Sequence, residues 1–385
     1  MDYQELESTL DKHEAQQREL ESMSSTAASK AKLKKDDVNS MSYALESMGV
    51  GMEGVLSTSW EVIKGLSSLA SKAFIKTFET IGVWLDKTGT KELERLRKRL
   101  DASSADGAGI AKSESIARAL TIEGSLIVNH VQHIEKLVAF SKTISDQVCS
   151  QVALTARKVY TDVGMSRADD PEEFHALVHK VMSTLSHSRP TIDLLGPKNL
   201  STKFIGDRSL FTERSKPFDV KPPVKVKDAE TLKVIDALNA ATVGVSGSPG
   251  KIKAIANSNR VAILTRSEIE ELLKALEKLS DELYRLKGLS KFYSNDPYCS
   301  TSFYLLHHRQ NKVEGEMVYD KENDRYYASG QSIDTDDKFR TSVLGQYLRM
   351  DLMDHKLIFQ KNTRLLISVF QSYVDYIYFS LKYHR

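Results

Sequence analysis

Cysteine is scarce in this chain, which has only two, Cys149 and Cys299, among 385 residues. Two thiols cannot build a disulfide-stapled scaffold or a four-cysteine zinc site, and their scarcity is typical of a reducing compartment. Proline is scarce as well, with eight residues, while 41% of the chain is hydrophobic, which argues against wholesale disorder. We therefore expect a soluble, helix-rich protein that is long enough to bury a core.

Long apolar runs and a one-sided charge are also missing. No stretch of 18 uncharged apolar residues occurs, so a standard transmembrane helix is not expected. The first ten residues are polar and acidic, unlike a secretory signal. The 54 Lys and Arg residues nearly balance the 52 Asp and Glu residues, which excludes a chain that coats a polyanion along its whole length.

Apolar residues recur at three- and four-residue steps and predict a mainly α fold, with helical bundle lobes and a small β-hairpin element. Residues 52–100 have the pattern of one or two amphipathic helices, and residues 113–165 continue it. Asp170 and Pro171 predict the start of a further helix that runs to about Ser186, because proline is favoured in the first helical turn.

The second half of the chain carries its own local signals. Ile252–Ala256 and Arg260–Thr265 are expected to pair as a short hairpin, and residues 312–331 predict another one. Ser267 and Glu270 have the spacing of a capping box. An a/d register then follows through Ile269, Leu272, Leu276, Leu279, Leu283 and Leu286. Its short length indicates a bundle helix.

Composition divides the chain into four predicted segments. Residues 1–46 hold ten acids and six bases, net −4, without proline or glycine, and form an acidic helical segment. Residues 47–188 are predicted to form an N-terminal helical lobe, and residues 228–385 a C-terminal lobe with the small β element. Between them, residues 189–227 hold five of the eight prolines and a net charge of +5, typical of a linker or strap.

This strap interleaves bases with Phe204, Phe211 and Phe218, which stand seven residues apart. Such a pattern suits contact with a nucleic-acid strand, although the same aromatic residues also suit a strap pinned to its own domain. The candidate nucleic-acid contacts are Lys203, Arg208, Arg214, Lys216, Lys221, Lys225 and Lys227. Residues 338–385 add a further net charge of +5.

Two patterns are similar to catalytic or ligand motifs but lack a required residue. In Gly244–Lys251, five residues rather than four separate the two outer glycines, and Ile252 stands where a phosphate loop needs Ser or Thr. His175 and His179 are four residues apart, but Ala176 occupies the position of the catalytic Glu of zinc hydrolases. We interpret the first pattern as a turn and the second as surface histidines, and expect no metal site, no cofactor, no small-molecule ligand and no enzyme. A metal hydrolase around His175 and His179 is the alternative.

A candidate processing sequence lies at the end of the acidic segment. Ala44-Leu45-Glu46 precedes Ser47, and Gly51-Met52-Glu53 precedes Gly54, so both have the form small–x–Glu followed by a small residue. A small side chain suits a narrow protease subsite, and glutamate offers a charge to a basic pocket. Both triplets lie where an acidic composition gives way to an apolar one.

Three similar tetrapeptides accompany these triplets. They are Leu6-Glu7-Ser8-Thr9, Leu20-Glu21-Ser22-Met23 and Leu45-Glu46-Ser47-Met48, a pattern that helical composition bias also produces. With the acidic leader, the Ala44-Leu45-Glu46 triplet and the helix-rich body, this N-terminal region of about 55 residues resembles internal head proteins of giant tailed bacteriophages.

The resemblance implies a propeptide, residues 1–46, that directs the protein into the assembling head. It implies cleavage by a prohead protease after Glu46, or alternatively after Glu53. The mature protein would stay inside the capsid with other head proteins and packaged double-stranded DNA, after synthesis in the bacterial cytoplasm. A different function is also open: a membrane-active or injected effector that acts through amphipathic helices of residues 52–87.

Overall fold

The structure is a computed structural model, and most of the chain is described in it. The described residues are 1–28, 59–103, 106–186, 203–210, 250–294, 298–315, 317–320, 325–328, 330–349 and 355–384, with positions 229 and 232. They are mainly helical with small two-stranded antiparallel sheets, which confirms the predicted fold class.

The helices fall into two groups along the chain. The first half contributes α1 (Tyr3–Ala28), α2 (Ser59–Trp84), α3 (Thr90–Ala102), α4 (Glu114–Ala119), α5 (His130–Lys142), α6 (Ser150–Met165) and α7 (Pro171–Ser186). The second half contributes α8 (Arg266–Ser294), α9 (Tyr298–Glu314), α10 (Thr335–Arg349) and α11 (His355–Leu381). Wide π-helical turns at Leu85–Gly89 and Thr143–Cys149 join α2 to α3 and α5 to α6 without a break.

Helix α7 confirms the predicted start at Asp170 and Pro171. The Asp170 carboxylate accepts a hydrogen bond from the backbone N–H of Glu173 at 2.9 Å, which satisfies one of the free donors of the first turn. The first backbone N–H groups of a helix have no partner within it, so proline, which has no N–H, loses no hydrogen bond at this position.

Helix α8 confirms the predicted apolar seam but not its cap. All six residues from Ile269 to Leu286 in the a/d register are 0–1% exposed. The capping box is formed by Thr265 and Glu268: the Thr265 N–H donates to Glu268 Oε2 at 2.8 Å, and the Glu268 N–H donates to Thr265 Oγ1 at 3.3 Å. The predicted box at Ser267 and Glu270 was therefore wrong by two residues.

One of the two predicted hairpins is correct. Strand β5 (Met317–Asp320) pairs antiparallel with β6 (Arg325–Ala328), within the predicted range. Strand β4 (Arg260–Ala262) pairs instead with β1 (Ile110–Lys112), so the expected pairing with Ile252–Ala256 was wrong. Burial accounts for this difference in pairing. Val261 in β4 is 2% exposed, whereas Ile255 in the predicted partner strand is 79% exposed.

A second, minimal hairpin follows helix α4. Strands β2 (Thr121–Ile122) and β3 (Ser125–Leu126) are joined by Glu123 and Gly124, both with positive φ angles, 50° and 83°. Two left-handed residues are what a tight two-residue hairpin requires.

Helices from both predicted lobes share one hydrophobic core. The ring of Phe359 in α11 lies 5.2 Å from that of Phe78 in α2, and Trp84 meets Phe370 edge-on at 5.8 Å. Since α11 also packs against α3, α5 and α8, helices from residues 47–188 and from residues 228–385 contribute to the same core. Helices α6, α7, α9 and α10 pack against one another beside this core.

Candidate functional site

Helix α1 is packed into the body of the protein along α2. Its inward positions alternate in steps of four and three residues, and each is at most 8% exposed. They are Leu6, Leu10, His13, Gln17, Leu20 and Ser24. Helix α1, which has too few leucines to form a stable helix alone, is therefore stabilised by tertiary packing.

Polar pairs fill the part of this seam where leucine is missing. His13 Nε2 lies 3.4 Å from Thr80 Oγ1 of α2. The Gln360 side-chain amide of α11 donates to Gln17 Oε1 at 2.7 Å and to Thr77 Oγ1 at 3.3 Å. These bonds fix the register of α1, because a shift by one turn would leave buried polar groups without partners.

Charged groups tie the same helix to α11. Arg364, 2% exposed, lies 2.6 Å from Asp11 Oδ1 and 3.1 Å from Glu14 Oε2, with Glu7 at 3.5 Å. Lys361 Nζ lies 2.7 Å from Glu14 Oε1. Burial lowers the pKa of Lys361, whereas for Arg364 the carboxylates of α1 outweigh burial and raise the pKa. We call these contacts and the seam the α1 docking surface.

The structure describes two of the seven predicted nucleic-acid contacts. Lys203 is exposed and pairs with Glu123 at 2.9 Å. Arg208 is 3% exposed and donates to Ile205 O at 2.8 Å and to Ser372 Oγ of α11 at 3.0 Å. Its burial lowers the pKa to about 10. Arg208 therefore fastens a turn to the core and is not available to a phosphate.

The remaining predicted site residues lie outside the described residues. These are Arg214, Lys216, Lys221, Lys225 and Lys227, together with both cleavage sequences, 44–47 and 51–54.

Several bases of the C-terminal basic stretch are paired with acids of the protein. Lys338 pairs with Glu314 at 2.6 Å, and Arg340 pairs with the buried Asp337 at 2.7 Å. Together with Lys361, these pairs show that net charge along the sequence overstates the positive surface available to a polyanion.

The two histidines of α7 meet an aspartate of α10. The rings of His175 and His179 lie 4.3 Å apart, as expected for residues one turn apart on a helix face. His175 Nδ1 is 2.8 Å from Asp337 Oδ2, and one possible ligand atom from each of the three residues lies within 4.8 Å of the others. Sequence reasoning found the histidines but not Asp337, which is 162 positions from His175.

A buried polar network lies against the π turn at Thr143–Cys149. Glu282, 3% exposed, accepts from Ser141 Oγ at 2.6 Å and from Arg285 Nε at 2.7 Å. Arg285 also donates to Asp146 at 2.7 Å, and these partners raise its pKa. The network sets the register of α8 against α5, and we assign it a structural role.

The apolar face of α2, on which the effector hypothesis depends, is covered by the core. Leu66, Phe74, Phe78 and Ile81 are all 0–1% exposed. Among the described helices, none combines the length and apolarity needed to cross a membrane. Membrane contact through this face would require α2 to leave its partners.

Comparison with protein-family models, curated proteins and solved structures finds no match to this chain.

Proposed function

We propose that this protein is a structural component of the interior of a phage head, made as a precursor and cut after a small–x–Glu triplet by the prohead protease. The observation that carries the proposal is the position of both triplets relative to the helices. Residues 44–46 and 51–53 lie in the sequence between α1, which ends at Ala28, and α2, which begins at Ser59. A cut at either place leaves every described helix intact.

Two other triplets resemble this form, Ser59-Trp60-Glu61 and Thr121-Ile122-Glu123, and their positions support the choice of site. Trp60 and Glu61 lie within α2, and Glu123 forms the tight turn of the β2–β3 hairpin. Proteases commonly bind substrates as extended strands, a conformation that neither a helix nor a tight turn offers.

Charge separation gives the cleavage a physical consequence. The propeptide carries a net charge of −4 and residues 47–385 carry +6, so the cut separates an acidic piece from a basic one. A basic body favours packaged DNA through release of counterions, with weak, non-specific and salt-sensitive affinity. The proposed partners are the prohead protease, capsid or other internal head proteins, and double-stranded DNA.

The test is the N-terminal sequence and intact mass of the protein taken from its native particle. We expect a chain that starts at Ser47 or Gly54. Glu46→Ala, or Glu53→Ala for the second site, should leave the leader attached, whereas the matched control Glu61→Ala should be trimmed as usual. A Met1 start in native particles, or normal trimming when both Glu46 and Glu53 are replaced, would overturn the proposal.

A further inference from the structure

The cluster formed by His175, His179 and Asp337 has the composition of a transition-metal site. Two imidazoles and one carboxylate are a common ligand set of Zn²⁺, with a water molecule in the fourth position. We propose that this cluster binds one Zn²⁺ ion and thereby links α7 to α10. The inference is independent of the proposed role in the phage head.

The geometry requires little change for the ion to bind. Zinc lies about 2.0–2.2 Å from nitrogen and oxygen ligands, so two ligand atoms at tetrahedral positions are about 3.3 Å apart. His175 Nδ1 and Asp337 Oδ2 are 2.8 Å apart, and all three possible ligand atoms lie within 4.8 Å. The His175 side chain is 53% exposed, so rotation about its own bonds can open the gap.

Arg340 supports the carboxylate from the side away from the histidines. Its NH1 atom donates to Asp337 Oδ1 at 2.7 Å, which leaves Oδ2 directed at His175. The aspartate side chain is 3% exposed and is therefore held in one orientation. Partners of this kind orient ligands at metal sites, and their loss typically lowers affinity about 10- to 100-fold.

The site lacks the general base of one class of zinc hydrolases, and we assign the ion the role of linking two helices. Ala176 follows His175, so the glutamate that acts as general base in His-Glu-x-x-His hydrolases is missing from this position. The ligands come from two packed helices, and a metal that binds only the folded chain stabilises it.

The full-length protein, stripped with a chelator, should be titrated with ZnCl2 and the retained zinc measured after gel filtration. We expect about one equivalent per chain, a rise in melting temperature, and d–d absorption bands of a low-coordinate site with Co²⁺. His179→Gln and Asp337→Asn should each weaken zinc binding by more than about 100-fold. This is a larger loss than the removal of a partner that only orients a ligand typically causes.

The control is His308→Gln, which replaces an exposed histidine of α9 outside the cluster and should bind zinc like the parent protein. Less than about 0.1 equivalents of zinc in the parent protein, or equal retention by His179→Gln, would overturn the proposal. Circular dichroism identifies a variant that fails to fold, and His179→Gln, which replaces a less buried residue than Asp337, then decides the question.

Discussion

Replacing Glu14 with glutamine tests the α1 docking surface at its most buried acid. Glu14 is 7% exposed and contacts Lys361 at 2.7 Å and Arg364 at 3.1 Å. Glutamine keeps the shape of the side chain but leaves two buried cations with less compensating charge. Removing one partner from a buried ion pair typically costs about 3–5 kcal/mol.

The contacts of Arg364 place the expected loss at the lower end of that range. Arg364 keeps Asp11 at 2.6 Å and Glu7 at 3.5 Å, whereas Lys361 loses the carboxylate nearest to it. We therefore expect Glu14→Gln to lower the free energy of unfolding by about 3 kcal/mol. With a urea dependence of about 3 kcal/mol per molar, the midpoint falls by about 1 M.

Urea unfolding followed by circular dichroism and by tryptophan fluorescence measures this change, and coincident transitions justify a two-state analysis. Glu19→Gln is the matched control, because Glu19 is exposed on the same helix and its replacement should stay within about 0.5 kcal/mol. In a double-mutant cycle, Lys361→Met should recover part of the loss. A cost below about 1 kcal/mol for Glu14→Gln, or strict additivity with Lys361→Met, would refute the reasoning.

Three further predictions follow from the structure. Thr265→Ala should cost about 1 kcal/mol in urea unfolding and Ser267→Ala almost nothing, because Thr265 forms the cap of α8; equal costs would contradict this assignment. Burial lowers the pKa of His130 and of His133 to about 4, so unfolding takes up protons between that pH and the ordinary value of 6.5. The free energy of unfolding should therefore be highest above pH 6.5 and fall by up to roughly 3 kcal/mol per histidine towards pH 4. Urea unfolding at several pH values measures this dependence, and His133→Gln should make it less steep. Finally, a chain cut by an inserted protease site between α1 and α2 should keep α1 bound through its three buried leucines, and separate elution of the pieces in size-exclusion chromatography would contradict that.

The parts of the fold that sequence predicts are those with strong local signals. The seam of α8 is a run of apolar residues at helical spacing, and Pro171 marks the start of α7 by its own chemistry. The β5–β6 hairpin joins residues close in the chain, so its pairing is local too. Each of these features needs no information from distant residues.

The docking of α1 was not predictable because its seam is polar. His13 occupies a core position because Thr80, 67 residues away, faces it. Gln17 does so because Gln360, 343 residues away, faces it. The same limit applies to Arg208, which composition places in a basic strap and tertiary contacts place in the core.

The polar seam of α1 also fits the physical needs of a leader that is docked first and cut later. Buried polar pairs specify register at a cost in stability relative to an apolar seam. A shift of α1 would separate Glu14 from Lys361 and Gln17 from Gln360, so these pairs favour the one observed register. The same pairs hold α1 less tightly than leucines would, while the three buried leucines of α1 keep it bound after the connection is cut.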